Sequence, residues 1–314
     1  MRKLKKSFAA FILLSLVFTF AGCSGANSTG GNTSSNTASA TVYPLTITDD
    51  AGNKVTIDKE PTKIVSLAPS NTEILFALGA GSRVAGRSEN DNYPAEAKSI
   101  PVVGGLSGPN TESIIKLAPE VVFAIKGSLT DEAQKLLESS GIKVVTFNPA
   151  NIDGVYSDIR IAGEICNTQT KAKALTDSMQ AKREEILAKI ANVKPKKVFV
   201  DLGGLYTAGQ GSFIDSMLKE LKADNVAAQT TGEWPQLSVE QIVSSDPDVY
   251  ISLYSNIDDL KAVSGLSSTT AFKNGNVKVI ENGTADNDVV QRPGPRVIDG
   301  LEIYAKTIYP EAFK

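Results

Sequence analysis

The chain carries one phrase twice, as Asn110-Thr-Glu-Ser-Ile-Ile-Lys-Leu-Ala-Pro-Glu-Val121 and as Ser238-Val-Glu-Gln-Ile-Val-Ser-Ser-Asp-Pro-Asp-Val249. In each copy a helix-capping residue, Asn110 or Ser238, lies two positions before a glutamate, and an apolar pair follows. A proline seven residues after the glutamate ends the helix before an apolar strand. The repeat predicts two lobes that are built alike.

Glu112 and Glu240 are predicted to occupy equivalent places at the two helix N-termini. A carboxylate there is favoured by the helix dipole and stays ionised. We predict that these two charges, one per lobe, bind a partner that also has two matching parts.

Apolar strands alternate with helical segments around both copies, which predicts an α/β fold with mainly parallel sheets. The first lobe opens with a hairpin over 43–57, because a turn there separates two alternating runs. Its other predicted strands are 63–67, 83–86, 121–124 and 143–147, with helices at 71–78, 112–117 and 131–140. The second lobe repeats this order, with strands at 197–202, 248–252 and 277–280, and helices at 213–221, from 240, near 271 and at 296–307.

One long helix is predicted between the lobes, over residues 169–193. Its apolar positions recur at a helical period: Ala172, Leu175, Met179, Ile186, Leu187 and Ile190. Such a helix is roughly 36 Å long and offers no loop hinge, so we expect limited movement of the lobes.

The N-terminus predicts export. Four basic residues precede an apolar stretch over 8–21, which is too short for a comfortable membrane span. The ending Phe20-Ala-Gly-Cys23 resembles a bacterial lipobox, which implies cleavage before Cys23 and attachment of lipid, including palmitate, to Cys23. Small and polar residues then form a flexible tether. We therefore expect a lipid-anchored protein on the extracytoplasmic face of the bacterial cell membrane.

The predicted organisation has five parts. These are a signal peptide (1–22), a lipid-anchored linker (23–40), an N-terminal α/β lobe (41–165), a rigid connecting helix (166–194) and a C-terminal α/β lobe (195–314).

Composition excludes several classes of function. Removing the signal peptide takes away four of the 32 basic residues and none of the 35 acidic ones, so the mature charge is 28 − 35 = −7, and nucleic acid is not an expected partner. The chain has no histidine, which excludes imidazole-ligated metal sites and the usual general base of a Ser or Cys hydrolase. We expect neither an enzyme, nor a metal site, nor a cofactor.

Once Cys23 carries lipid, Cys166 has no partner for a disulfide.

Several features together resemble the helical-backbone substrate-binding proteins of ABC importers, the class III periplasmic binding proteins. They are the lipobox, the two repeated helices, and the stretches Ser66-Leu-Ala-Pro-Ser-Asn-Thr-Glu73, Trp234-Pro-Gln-Leu-Ser-Val-Glu240 and Arg292-Pro-Gly-Pro-Arg296. The resemblance covers residues 43–314 and implies capture of a metal chelate, which in this family is cobalamin, a ferric siderophore or haem. Tyr206-Thr-Ala-Gly and Trp234-Pro-Gln make the cobalamin-binding members the most similar.

The resemblance also implies a ligand site between the lobes. In cobalamin binders, aromatic residues there clamp the corrin ring, and Tyr206 and Trp234 fall on two of those positions. Asp288 and Arg292 fall on polar ones. Each also has an ordinary structural explanation, with Trp234 as a core or helix-staple residue and Asp288 as a turn residue.

The first lobe departs from the cobalamin pattern. It has Asn90, Leu106 and Ile125 where those binders carry aromatics, with Lys126 beside the last. Aliphatic side chains still cover an apolar ring by area burial, so cobalamin remains the leading ligand. The alternative is an anionic ferric siderophore, for which the candidate basic residues are Arg87, Lys126, Arg292 and Arg296.

Two classes of function therefore stay open. The first is a monomeric, tethered receptor that delivers a chelate to an ABC permease dimer with its ATPase subunits. In that case Glu112 and Glu240 each engage an arginine of the permease. The second is a surface interaction protein without a small ligand, with the two glutamates as its main contacts.

Overall fold

The structure is a computed structural model that describes residues 40–106 and 108–314. The predicted signal peptide, Cys23 and almost all of the predicted linker lie outside these residues. Within the described ranges, no helix is long and apolar enough to cross a membrane.

The first lobe is built on a four-stranded parallel sheet. An antiparallel hairpin precedes the sheet, as predicted, with Leu45 opposite Ile57. The strands of the lobe are β1 (Leu45–Thr48), β2 (Lys54–Ile57), β3 (Ile64–Ser66), β4 (Val84–Arg87), β5 (Gly104–Gly105), β6 (Gly108–Pro109), β7 (Val121–Ile125) and β8 (Lys143–Phe147). Its helices are α1 (Pro69–Ala77), α2 (Thr111–Leu117) and α3 (Asp131–Ser139). The sheet order is β4-β3-β7-β8.

The second lobe has a four-stranded parallel sheet of the same topology. Its strands are β9 (Lys197–Asp201), β10 (Asp224–Asn225), β11 (Val249–Ser252) and β12 (Val277–Val279), and its helices are α6 (Phe213–Glu220), α7 (Val239–Ser245), α8 (Ile257–Ala262), α9 (Thr270–Lys273), α10 (Ala285–Val289) and α11 (Val297–Ile308). In the order β10-β9-β11-β12, β9 lies between β10 and β11, which follow it along the chain. In the first lobe, β3 lies in the same way between β4 and β7. The predicted duplication and the α/β class are confirmed.

The repeated phrase forms α2 and α7, with the predicted caps. Asn110 accepts a hydrogen bond from the backbone N–H of Ser113 at 2.9 Å, and Ser238 accepts one from Gln241 at 3.3 Å. Each cap satisfies one of the N–H groups that a helix start leaves without a partner.

The residue after each proline ties the phrase to the start of a strand in the four-stranded sheet of its own lobe, β3 or β9. The Glu120 carboxylate accepts the backbone N–H of Lys63 at 2.7 Å, and the Asp248 carboxylate accepts that of Lys197 at 2.8 Å. The two lobes therefore share individual hydrogen bonds as well as strand order.

The connection between the lobes consists of two helices, α4 (Ile152–Ile165) and α5 (Gln169–Lys189). The predicted helix is confirmed as α5, but its 21 residues end four positions before Val193, so it is about 32 Å long. Helix α4 was not predicted from the sequence, because Gly154 and Gly163 lower its helix propensity. Gly163 is needed for packing, since a Cβ there would lie 2.6 Å from Cβ of Ala172 on α5.

The largest hydrophobic cluster runs through both lobes and the connecting helices. It includes Ile64 and Phe123 of the first sheet, Met179 of α5, and Val200 and Ile251 of the second sheet. Burial on this scale favours one fixed arrangement of the lobes.

Asp158 on α4 is a buried acid within this framework. Its side chain is 1% exposed, and neither of its carboxyl oxygens has a hydrogen-bond partner among the described residues. Burial, and then the nearby Asp50 carboxylate, raise the pKa of Asp158 to about 9. An unfolded chain loses this proton near pH 4, so the folded state holds one more proton from about pH 4 to about pH 9. The stability that the folded state gains by holding this proton is therefore lost as the pH rises through that range.

We expect Asp158→Asn, which keeps a neutral group of the same size, to remove this pH dependence. Between pH 5 and pH 8, the melting temperature of the native chain should fall by roughly 5 °C relative to the variant. Thermal melts followed by circular dichroism at both pH values test this, with the exposed Asp177→Asn as control. Parallel pH profiles for Asp158→Asn and the native chain would contradict the prediction.

Candidate functional site

The carboxyl edges of the two sheets face each other, because segments that follow strands of one lobe contact segments that follow strands of the other. Asn92, which follows β4, donates from Nδ2 to Oδ2 of Asp288 on α10 at 3.0 Å. Ser70 at the start of α1 packs against Gly294, where an added Cβ would lie 3.5 Å from Cα of Ser70. Ligands of open parallel sheets bind outside such edges, at the point where the strand order reverses.

A buried carboxylate of the first lobe binds two arginines of the second. Glu73 on α1 is 3% exposed. Arg296 donates from Nε to Glu73 Oε2 at 2.8 Å and from Nη2 to Oε1 at 2.6 Å, and Arg292 donates from Nη1 to Oε1 at 3.1 Å. Burial by itself lowers the pKa of Arg296, but the bonds to Glu73 outweigh this and raise it. The arginine therefore stays charged.

Arg292 extends this contact to two more residues. It donates from Nη1 to Asn92 Oδ1 at 2.7 Å, and its Nη2 lies 2.6 Å from Oδ1 of Asp288. We call Glu73, Asn92, Asp288, Arg292 and Arg296 the inter-lobe ion cluster. Its two arginines and two carboxylates balance, so the cluster joins the lobes without adding net charge.

The ion cluster changes the interpretation of two predicted ligand residues. Asp288 lies in α10 rather than in a turn, and both of its carboxylate oxygens are already engaged. The side chains of Asp288 and Arg292 are each 16% exposed. Only a small part of either is accessible to a ligand, and their contact with one stays a prediction.

The basic residues considered for a siderophore do not converge as four available cations. Arg292 and Arg296 bind Glu73, and Arg87 is buried, donating to the backbone carbonyls of Ser88 at 2.8 Å and Lys98 at 3.2 Å. Lys126 is exposed after β7. The guanidinium of Arg87 is therefore engaged within its own loop, and its contact with an anionic chelate stays a prediction.

Tyr206 and Trp234 lie on two paired segments at the carboxyl edge of the second lobe. Thr207 donates its N–H to the Pro235 carbonyl at 2.9 Å, and Tyr206 is bridged to Gln236 in antiparallel register. In this register Trp234 lies opposite Ala208. Since opposite residues and alternate residues share a face, Tyr206 and Trp234 project to the same side as diagonal neighbours.

Both aromatic side chains are open to solvent. Tyr206 is 49% exposed and Trp234 is 51% exposed. A core role for Trp234 is therefore excluded. Both rings are therefore exposed at the same edge of the second lobe.

The predicted first-lobe ligand residues also lie near strand ends. Asn90 is exposed after β4, Leu106 is half-buried between β5 and β6, and Ile125 is the half-buried last residue of β7. Their contact with a ligand stays a prediction, and it would involve one polar and two aliphatic side chains and no aromatic one.

Glu73, Asn92 and Tyr254 were not singled out from the sequence, although all three lie at the edges where the lobes meet or at the same edge as Tyr206. Tyr254 follows β11 and is 49% exposed. A signal for Glu73 was present, since Ser70-Asn-Thr-Glu73 is a polar run in the first turns of an otherwise apolar helix, and the structure buries all four. Such burial of polar residues indicates partners elsewhere in the fold.

Glu112 and Glu240 are exposed at the second position of α2 and α7, as predicted. Hydrogen bonds from its own backbone N–H and from Ser238 lower the pKa of Glu240. Permease docking through these residues stays a prediction.

A separate cavity of about 580 Å³ lies beside the ion cluster, on the side of α5. Phe76, Tyr93, Leu175 and Pro295 are among its apolar lining residues. Neither Tyr206 nor Trp234 lines it, so it is distinct from the aromatic surface.

Comparison with known sequences identifies the family. The sequence profile of the periplasmic binding protein family matches residues 64–283. An uncharacterized ABC transporter substrate-binding lipoprotein of Bacillus subtilis, YvrC, is 39% identical over 87% of this chain and 88% of its own length. A cobalamin-binding protein of Halobacterium salinarum is 31% identical over 85% of this chain and 74% of its own length.

Solved structures agree on the fold. The vitamin B12 binding protein BtuF of Vibrio cholerae is 22% identical, with a TM-score of 0.72 over 81% of this chain and 99% of its own. The haem-binding protein RhuT of Roseiflexus is 24% identical, with a TM-score of 0.70 over 80% and 98%. These identities support the fold alone. YvrC is named an ABC transporter substrate-binding lipoprotein, and this favours the first of the two classes of function. The chain belongs to the periplasmic binding protein family, as the substrate-binding component of an ABC transporter.

Proposed function

We propose that this chain captures cobalamin between its lobes and delivers it to an ABC permease, while lipid on Cys23 holds it at the extracytoplasmic face of the membrane. The observation that carries the choice of ligand is the joint surface of Tyr206 and Trp234. Two large rings on one side of a fixed ribbon suit a broad, flat, mostly apolar ligand such as a corrin.

The sequence relatives support this choice. YvrC bears the name of a substrate-binding lipoprotein, and the Halobacterium relative bears that of a cobalamin-binding protein. Both alignments extend over most of the chain, so the similarity includes both lobes.

The charge distribution disfavours the ferric siderophore. An anionic chelate needs converging cations, but the guanidiniums of Arg292 and Arg296 are bound to Glu73 and that of Arg87 to backbone carbonyls. Capturing a siderophore with the two arginines would require the ion cluster to open, which would leave the buried Glu73 without its partners. The siderophore remains the second candidate, with Lys126 as its accessible cation.

We expect the purified protein to become pink on incubation with cyanocobalamin and to keep a corrin spectrum after desalting. Trp234 is the only tryptophan, so its fluorescence should quench on binding. Trp234→Ala should weaken binding, measured by calorimetry, by about 1 to 3 kcal/mol, the usual loss for a large aromatic contact.

Trp234→Phe, which keeps an aromatic ring, serves as the matched control and should lose less affinity than Trp234→Ala. Equal affinity in the native chain and Trp234→Ala would overturn the site. Failure of the native chain to bind cyanocobalamin, with binding of a ferric hydroxamate, would overturn cobalamin as the ligand.

A further inference from the structure

A third exposed ring lies at the same edge of the second lobe. Tyr254 follows β11 directly, and β11 is the sheet neighbour of β9, whose following loop carries Tyr206. At 49% exposed, it is as open to solvent as Tyr206.

The backbone that presents Tyr254 is held in place. Ser252 Oγ donates to the Ser255 carbonyl at 2.8 Å and accepts the Ser255 N–H at 3.0 Å. The buried Asn287 donates from Nδ2 to the carbonyl of Leu253 at 2.7 Å. These bonds fix the turn on both sides of the tyrosine, so its ring does not depend on a ligand for its position.

The hydroxyl of Tyr254 is tied to the segment that carries the ion cluster. It donates to Gln291 Oε1 at 3.0 Å, and Gln291 Nε2 in turn donates to the carbonyl and to Oδ1 of Asn287 at 3.0 and 2.8 Å. Gln291 directly precedes Arg292. The ring therefore stands between the Tyr206 loop and the predicted polar ligand residues.

The Tyr206 loop is shaped to accept this ring. Gly203 has φ +95°, and an added Cβ there would lie 3.2 Å from Cβ of Tyr254. Leu202 donates its N–H to the Tyr206 carbonyl at 2.8 Å, which closes the loop. Tyr254 thus packs against the base of the loop that presents Tyr206.

We propose that Tyr254 is a third ligand-contacting aromatic residue, so that the second lobe alone supplies the aromatic surface for the chelate. This inference rests on the proposed function. It explains how a flat chelate is bound although Asn90, Leu106 and Ile125 of the first lobe offer no ring. Aromatic area on one lobe can replace a clamp made by both lobes. The ligand it fits is a flat macrocyclic chelate with an extended apolar face.

The test is calorimetric titration of cyanocobalamin into the native chain, Tyr254→Ala and Tyr254→Phe, with Leu136→Ala as control. Leu136 is an apolar side chain on the first lobe that is 48% exposed. We expect Tyr254→Ala to bind about tenfold more weakly, and Tyr254→Phe to stay within about threefold of the native chain because it keeps the ring. Leu136→Ala should be unchanged. At saturating ligand, Trp234 should still quench in Tyr254→Ala, since the rest of the surface remains.

The outcomes separate this inference from the proposed function. Tight binding by the native chain with equal affinity in Tyr254→Ala overturns the role of Tyr254 alone. A loss of affinity in Tyr254→Phe as large as in Tyr254→Ala also overturns it, since the hydroxyl would then act without the ring. Absence of binding by the native chain overturns the proposed function and this inference together.

Discussion

Glu73→Gln is expected to lower the free energy of unfolding by about 3 to 5 kcal/mol, the usual cost of removing one partner from a buried ion pair. The glutamate is 3% exposed and receives three hydrogen bonds from Arg292 and Arg296. The glutamine keeps the shape of the side chain but removes one of the two negative charges that balance the guanidiniums of Arg292 and Arg296. Urea unfolding followed by circular dichroism, with the Trp234 fluorescence as a probe of the second lobe, measures the change.

The exposed pair Lys173–Asp177 on α5 provides the matched control. Its side chains are 52% and 55% exposed, and Asp177→Asn should cost at most about 0.5 kcal/mol. Equal urea midpoints for Glu73→Gln and Asp177→Asn would show that the ion cluster does not hold the lobes together. A double-mutant cycle of Glu73→Gln with Arg296→Gln should give a coupling energy of about 1 kcal/mol or more.

The ion cluster also limits lobe movement. A receptor whose lobes are joined by the continuous α5 and by a buried ion cluster has little freedom to close around its ligand. The proposed ligand surface of Tyr206 and Trp234 needs no such closure, since both rings are already exposed.

Most of the fold could be predicted from the sequence because local signals were strong. β8 occupies the predicted residues 143–147, and most strands of the two main sheets differ from the prediction by one or two residues, since runs of Val, Ile and Phe bounded by turn residues have clear limits. α4 was missed for the opposite reason. Its two glycines reduce helix propensity, and the close contact with α5 that requires Gly163 is visible only in three dimensions.

The ion cluster could not be predicted, although both of its sequence motifs were recognised. Glu73 and Arg292 are 219 residues apart, and no local pattern indicates that one binds the other. For the same reason, Asp288 and Arg292 were placed from the sequence at the ligand or in local structure, and not in contacts between the lobes. Their contacts with Asn92 and Glu73 depend on how the lobes meet.

Tyr254 was missed because a tyrosine after a strand has no distinctive sequence pattern. Tyr250, four residues earlier, is completely buried and hydrogen-bonded to Asp201 at 3.0 Å. β11 ends between the two residues, at Ser252. The ring inside the strand is therefore in the core, and the ring after it is exposed. Trp234 was easier to single out, since the surrounding Trp-Pro-Gln phrase belongs to the family resemblance.

Replacing Glu112 and Glu240 together by alanine is expected to reduce cobalamin uptake by whole cells to near the level of cells without the protein. Both carboxylates are exposed at the second position of equivalent helices, one in each lobe, and therefore match a permease with two equivalent halves. We propose that each binds an arginine there through charge-assisted hydrogen bonds, which provide orientation as well as affinity. Cobalamin affinity of the purified double variant should equal that of the native chain, because neither glutamate belongs to the aromatic surface.

The matched control must separate docking from a simple effect on helix starts. Glu132 in the first turn of α3 and Asp259 in the first turn of α8 are exposed acids, again one in each lobe. Their double replacement by alanine removes the same number of charges, with the same favourable dipole contacts, and should leave uptake unchanged. Normal uptake by the Glu112 and Glu240 double variant would contradict the docking proposal. An equal loss of uptake in the control variant would contradict it as well. A gain of uptake when Glu112→Arg and Glu240→Arg are paired with arginine-to-glutamate changes in the permease would identify the contact directly, since the reversed charges attract each other as the original ones do.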